Sequence, residues 1–535
     1  MLALVGGAPA GARTPAPPWK VTRDPFRLSF RPVTGGRFAY RLADGSLHGL
    51  GAVLNVRRRG ASTEYRVATD EPARDAVVDV APTKTGARVS FSLKPATQVV
   101  ETTVAFAGRA GEHFLGGGER QQALDLSGQS FPVKASSACV TPMPAPFYVS
   151  SRGYGLALRT SAVASMAFPG SNLSDMCHEA GTPCALTPEL HDAQVCVKAP
   201  SVAYDLFVGT PERVVSDYVR SVGTPAVPPP AALALIKWCD AVTGPAQLYE
   251  DVDRLHGLGI PIGWVLLDNP WEPGGCLGSM TFDSAFGDPQ SLVQAIHARG
   301  VKLMLWISPL VRLDCPPLPQ YKPGSLVGSD GPAATVDLTN PGAAAAFEAG
   351  LKRLIALGVD GFKADRGEEA DLESLQLAGG KGVLLHNLYP LLYARAVAAA
   401  VKAAGASSSF VSLFHSAWPR APRRSGRRRG PWTPSTFPAA AGGCTRRAPG
   451  SPRRRRPSSG RSTRRSRVAR SPSTCTVRRA RRRSSSSAST WRARRSVRHR
   501  PPTRRCRRWD RDGSTRRRRS PESCSSLRRS PARPP

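Results

Sequence analysis

Residues 358–369 read GVDGFKADRGEE, and the fold turns on how this stretch is read. A helical pattern leads into it. Asn340 is its N-cap, Pro341 takes the first helical position, and Phe347, Leu351, Leu354 and Ile355 form its apolar stripe. Val359–Ala364 then makes a short apolar run that breaks into charge at Lys363, Asp365, Arg366 and Glu368. Parallel strands of an α/β barrel have this form, apolar inside the sheet and reactive at the mouth where each strand ends. A Lys-x-Asp-x-Gly-Glu cluster on an apolar strand is costly unless its charges are paired or used. Asp365 is therefore the first candidate for chemistry.

Outward from this stretch the same alternation repeats. Ala232–Trp238, Ile262–Leu267, Lys302–Ile307 and Ser409–Phe414 read as further strands, separated by helical patterns at Gln247–Leu258, Ser291–Ala298 and Leu388–Ala404. Five strand-and-helix units in succession predict the beginning of an eight-fold barrel. No G-x-G-x-x-G follows any of the strands, which argues against a dinucleotide fold. Upstream, from Arg23 to about Pro228, the period changes to two. Arg27–Phe30, Arg37–Leu42, Tyr65–Ala68, Ala87–Leu93 and Val99–Phe106 alternate apolar with polar residues between turn signals, which predicts a β-sandwich. Inside it, Leu115–Ser130 opens with LGGGER, either a glycine-rich hairpin bend or a loop reaching another domain's site. Pro225–Pro230 (PAVPPP) reads as the linker between the two.

The 535-residue chain carries a net charge of +36, the balance of a nucleic-acid binder until it is divided. Residues 419–535 contain 39 Arg, no Lys and three acidic residues, so the whole excess lies there and residues 1–418 are neutral. That block also lacks Ile, Asn, Gln, Tyr and Met, and it cannot bury a core. We expect it to be disordered and read it as a GC-rich gene translated out of frame. The rival is a genuine Arg/Ser tail that binds nucleic acid, which would usually mix in Lys. The organisation expected is therefore α/β: an N-terminal segment over 1–22, a β-sandwich over 23–228, an incomplete (β/α)8 TIM barrel over 229–418 and a disordered Arg-rich tail over 419–535.

Seven cysteines precede residue 419 and show no metal-ligand spacing. Cys177, Cys184 and Cys196 fit either a loop disulfide or free buried thiols. MLALVGGAPAGA at the N-terminus has the short apolar run and small residues of a secretory signal without its basic start. This tips an otherwise open compartment toward secretion or the endomembrane lumen. No apolar run of about 18 residues occurs, so no membrane span is expected.

The candidate pocket follows from the strand ends. Asp365 and Glu368 lie past the fourth strand and Asp268 past the second, while Trp306 closes the third and Trp238 the first. Carboxylates among aromatic rings suit a sugar, whose apolar faces stack and whose hydroxyls donate hydrogen bonds. Barrel core is the alternative reading for Trp306 and Trp238, and a loop cap for Asp268.

LLDNPWE (Leu266–Glu272), KLMLWISP (Lys302–Pro309), VDLTNP (Val336–Pro341), GVDGFKADRGEE and HNLYP (His386–Pro390) follow one another in that order. Together with FDSAFGDPQSLVQAIHARG (Phe282–Gly300), LGGGER and PFYVSSRGYGLAL (Pro146–Leu158), they resemble glycoside hydrolase family 31, the retaining α-glucosidase and α-xylosidase family. The resemblance spans roughly residues 25–418. It implies an N-terminal β-sandwich, a (β/α)8 barrel and C-terminal β-domains, with an oligosaccharide or other α-glycoside as substrate and no cofactor or metal. Asp365 matches the nucleophile, Asp268 a hydroxyl-binding aspartate, and Trp306 and Lys363 the pocket lining. Glu368 matches the support of the nucleophile loop, and Trp238 and Trp271 join the substrate-binding set. FKADRGE looks most like the α-xylosidase and myogenesis-regulating glycosidase branches.

Two departures stand out. The family places its acid/base aspartate in a Gly-Asp pair shortly after the fifth strand, and here no Asp or Glu occurs between Glu373 and Asp510. His415, in LFHSAW, stands where the family usually has arginine. The resemblance therefore implies α-glycosidase chemistry of which this chain, as written, carries one carboxylate of two. A sugar-binding pseudoenzyme and a tail-borne nucleic-acid binder are the alternatives.

Overall fold

The computed structural model describes residues 18–419 apart from 121–122, 137–142, 171–191, 225–226, 240, 243, 270, 370 and 407–408. The readings made of the N-terminal segment, of Cys177 and Cys184 and of the Arg-rich block lie outside these residues.

The N-terminal strands alternate buried and exposed side chains as the period-two pattern requires. In Gly86–Lys94, for instance, Ala87, Val89, Phe91 and Leu93 are buried. Thirteen described strands hydrogen-bond in one antiparallel order. The long strand Leu47–Arg59 pairs with Arg37–Leu42 through its first residues and with Ser62–Thr69 through the rest, so it passes between the two layers of the sandwich. Both layers bury their apolar faces in a shared core that includes Phe26, Phe38, Phe91, Phe106 and Tyr204. LGGGER forms no free loop: Phe114–Gly118 is a strand paired with Pro144–Ser150. A Cβ at Gly116 would stand 2.5 Å from the Phe147 carbonyl oxygen, so the close pairing requires glycine.

Downstream, Leu235–Cys239, Ile262–Leu267, Lys302–Ile307, Gly361–Ala364 and Val411–Phe414 form a parallel sheet in sequence order, a half-barrel. The second and third strands coincide with the apolar runs that predict them. The first and fifth are shorter, because a 3-10 turn occupies Pro230–Leu233 and the chain enters the sheet only at Leu235 and Val411. The helix Pro341–Ala356 starts where its sequence demands, with the Asn340 side chain accepting from the Gly342 and Ala343 amides. The sequence reading passed over the helix Pro211–Val222 and a three-stranded antiparallel sheet of Leu310–Arg312, Ala333–Val336 and Leu326–Asp330.

Period two also sorts the half-barrel. Val265, Leu267, Leu303, Leu305, Phe362 and Ala364 pack against the helices, whereas Trp264, Leu266, Met304, Val411 and Leu413 pack on the inner side. Gly361 belongs to this inner face, where a Cβ would meet Met304 and Trp264 at 3.1 Å each. Counting on by twos from these residues brings Trp306, Lys363, Asp268, Asp365 and His415 to the inner side at the strands' C-terminal ends. Among the described residues, no helix is long and apolar enough to cross a membrane.

Candidate active site

Asp365 is the first residue past Gly361–Ala364. Its Oδ2 accepts the Trp306 indole N–H at 2.9 Å and lies 3.4 Å from Lys363 Nζ. Its Oδ1 accepts the Arg366 amide at 3.0 Å and stands 3.5 Å from His415 Nδ1. Arg366 has φ 67°, a left-handed backbone uncommon for a non-glycine residue, and the turn there brings that amide onto the carboxylate beside it. Burial opposes ionisation of Asp365. The Trp306 hydrogen bond, the Lys363 and His415 charges and the Arg366 amide outweigh it and hold the carboxyl below the usual range.

Lys363 links this carboxylate to a second one. Its Nζ donates to Asp268 Oδ2 at 2.9 Å, the oxygen that also accepts the Trp238 indole N–H at 2.6 Å. Burial pulls the Lys363 pKa down, but the bond and charge of Asp268 and the charge of Asp365 leave it raised. Trp238, Asp268, Lys363, Asp365 and Trp306 thus form one continuous chain of contacts across four strand ends. Trp238 leaves 49% of its surface exposed beside the two carboxylates, and Lys363 Nζ lies over its ring, 5.5 Å from the centroid.

Glu368 is placed otherwise than a sugar-contacting residue would be. Its side chain has no exposed surface, and its Oε1 lies 2.5 Å from His415 Nδ1. That bond is the largest influence on His415 and raises its pKa against burial. Asp365, Glu368 and His415 bring their donor atoms within 4.8 Å of one another, a spacing that invites a metal ion. Donors around a tetrahedral ion with bonds of about 2.0–2.2 Å stand more than about 3 Å apart. The 2.5 Å contact is closer than that and is the spacing of a direct hydrogen bond between Glu368 and His415.

Trp271 corrects the expectation of a pocket wall. It is 1% exposed, packs in the helix-facing core, and donates its indole N–H to the Trp306 carbonyl at 2.7 Å. An aromatic ring that large is better buried against Phe282 than left in a loop. In LLDNPWE, Asp268 faces the cluster while Trp271 and Glu272 organise the loop behind it. Glu272 Oε1 accepts the Met280 amide at 2.6 Å and the Ser279 hydroxyl at 3.0 Å. A Cys276–Cys315 disulfide, not paired in the sequence reading, ties the same loop to the segment after the third strand.

Burial pushes the Glu272 carboxyl up to about 7. Unfolded, it ionises near about pH 4.3. Between these values the native state keeps a proton that the unfolded state has lost, so stability falls as pH rises through that window. Glu272→Gln keeps the accepting oxygen and removes the charge. It is expected to be more stable than the parent by about 2 kcal/mol at pH 8, with the difference vanishing near pH 4. Urea titrations at the two pH values read this, and a variant less stable at pH 8 would contradict it.

Other contacts went unread in the sequence because their partners lie far apart in the chain. Lys134 and Lys198, from the sandwich, meet Glu373 of the loop after Gly361–Ala364 at 2.8 and 3.0 Å.

A parallel half-barrel with its charged and aromatic side chains gathered at the strands' C-terminal ends is the layout of a TIM-barrel enzyme. Residues 225–424 match the profile of the glycosyl hydrolases family 31 TIM-barrel domain. Over this stretch the chain is similar to glycoside hydrolase family 31. It is 27% identical over 269 residues to alpha-xylosidase XylQ of Lactiplantibacillus pentosus, covering 47% of this chain and 33% of that protein. It is 26% identical over 311 residues to an alpha-xylosidase of Emericella nidulans, covering 54% of this chain and 37% of that one. The chain thus spans about a third of the length of these relatives. Among solved structures, a family 31 alpha-xylosidase from a soil metagenome, complexed with xylose, superposes with a TM-score of 0.52 at 18% identity, over 68% of this chain and 64% of that one.

Proposed function

We propose that the site serves hydrolysis of α-O-glycosidic bonds by retaining double displacement, with Asp365 as the nucleophile. The observation that supports this most is the seating of Asp365. Its carboxyl is held below the usual range, its Oδ2 is fixed by Trp306 and Lys363, and it shares that lysine with Asp268. In the proposed step Asp365 attacks the anomeric carbon and forms a covalent glycosyl-enzyme. Asp268 accepts hydrogen bonds from sugar hydroxyls, and the exposed Trp238 ring stacks on the sugar. The relatives named alpha-xylosidase favour an α-xyloside among the possible substrates.

A retaining glycosidase needs a second carboxyl about 5–5.5 Å from the first, to protonate the leaving oxygen and then activate water. The sequence supplies none between Glu373 and Asp510. We therefore expect the 535-residue chain to show no turnover of aryl α-xyloside, α-glucoside or α-galactoside. Clear turnover that Asp365→Asn abolishes would overturn that expectation. The same gap favours a second reading, a protein that binds sugars without cleaving them. Calorimetry with xylose and glucose oligomers reads it directly, and absence of heat with all of them would count against it.

A further inference from the structure

We propose that protonated His415 is the positioning residue of the nucleophile: seated between Glu368 and Asp365, it holds them as neighbouring ionised carboxylates and so governs how readily Asp365 attacks a glycosyl donor. This rests on the reading of Asp365 as nucleophile.

The placement follows from register. His415 is the first residue beyond Val411–Phe414, as Asp365 is beyond Gly361–Ala364, and Ala364 is paired with Phe414. The His415 amide continues the ladder by donating to the Ala364 carbonyl at 3.0 Å. One imidazole nitrogen, Nδ1, then reaches Glu368 Oε1 at 2.5 Å and Asp365 Oδ1 at 3.5 Å. Nothing bulky at the turn blocks this approach, because residue 367 is glycine. A Cβ there would stand 2.3 Å from Ser416 Oγ.

The charges around the imidazole show what its proton does. Four carboxylates gather here: Asp268, Asp365, Glu368 and Glu369. Lys363 divides itself between Asp268 and Asp365, on the Oδ2 side of the latter. Arg366 pairs with Glu369 at 2.6 Å, and its charge also acts on Asp365 and Glu368. The Glu368 side chain is fully buried, where an ionised carboxylate needs a cation against it. A proton on His415 supplies that cation and at the same time faces Asp365 Oδ1. When the ring loses its charge, its Nδ1–H can still bond Glu368, but the positive charge that offsets both carboxylates is gone, so ionising the two together costs more. Lysine or arginine here would give a permanent charge, whereas imidazole gives one only while protonated.

The test uses the full chain and a donor that needs no acid catalyst. In 5-fluoro-α-xylosyl fluoride and its glucosyl counterpart, Asp365 forms the ester bond to the anomeric carbon as the carbon–fluorine bond breaks and its electron pair leaves as fluoride. No proton is required from the enzyme, so the trapped adduct, read by intact mass, reports the nucleophile alone. The trapping rate is expected to hold near pH 6 and fall about tenfold by pH 9. His415→Arg should hold its rate across that range, and His415→Ala should be slow throughout. A parent rate that is flat with pH, or His415→Ala matching the parent at every pH, would overturn the proposal.

A nuclear magnetic resonance titration of the His415 ring separates this idea from the nucleophile assignment. A raised midpoint that drops in Glu368→Gln supports the positioning role, even if trapping fails in every variant and the nucleophile reading falls with it. An ordinary midpoint in the parent overturns the positioning role whatever the trapping shows.

Discussion

Lys363→Met is expected to slow covalent trapping of Asp365 by about tenfold near pH 5, because without the ammonium its carboxyl titrates at a higher pH and less of it is ionised. Methionine keeps the unbranched stem and removes the charge. The lysine ammonium now sits 2.9 Å from Asp268 and 3.4 Å from Asp365. Without it, the two carboxylates flank a neutral thioether, with only the Trp238 and Trp306 N–H groups left on their Oδ2 atoms. Like charges at that spacing cannot both ionise freely, so the pKa of one rises.

The direction of the pH effect follows. In the parent, the Asp365 carboxyl lies below its ordinary value, so its contribution to stability is present above about pH 3.9 and is lost as pH falls through the lower folded value. In Lys363→Met that contribution shrinks, and trapping, which needs the ionised form, fails at a higher pH on the acid side. A variant whose trapping stays within a factor of about three of the parent, with an unmoved acid limb, would show that Lys363 does not act on the nucleophile.

Much of this cluster could be read from position alone. Apolar runs ending abruptly in Asp268, Asp365 and Trp306 mark strand ends, and parallel strands in sequence order bring consecutive ends side by side. Local sequence does not carry the facing of a side chain within a loop. Trp271 and Asp268 are three residues apart, yet one is sealed in the core and the other meets the lysine. Nor does it carry pairing across distance. His415 and Glu368 are 47 positions apart, and only the parallel register of the fourth and fifth strands brings them together. The Cys276–Cys315 bond, with a separation of 39, was hidden in the same way. LGGGER left open a hairpin bend or a loop reaching another domain's site because glycine is ambiguous between freedom and tight pairing. Here its backbone is pinned against Phe147 and Tyr148.

HNLYP shows the same limit and yields the largest expected loss of stability. Asn387 is completely buried. Its Oδ1 accepts the Ala135 amide at 2.9 Å, and its Nδ2 donates to the carbonyls of Val133 at 2.9 Å and Ala162 at 3.1 Å. All three partners belong to the sandwich, so one barrel side chain satisfies backbone groups from two of its segments. His386 adds a bond from Nε2 to the Ala135 carbonyl at 2.8 Å, and the Val163 amide donates to the Val383 carbonyl at 3.0 Å. Asn387→Leu fills a similar volume but strands one amide and two carbonyls away from water. At about 1–3 kcal/mol for each stranded group, with partial relief from relaxation, the expected cost is about 4 kcal/mol. The strain falls on the junction itself, so sandwich and half-barrel should unfold less cooperatively and the calorimetric transition should broaden or split. Asn387→Asp sharpens the test. It keeps the oxygen that faces Ala135 but sets a carboxylate oxygen against two carbonyls, so it should be no more stable than the leucine variant despite being the smaller chemical change. If both variants melt as the parent does, in a single unshifted transition, Asn387 is not what joins the two halves.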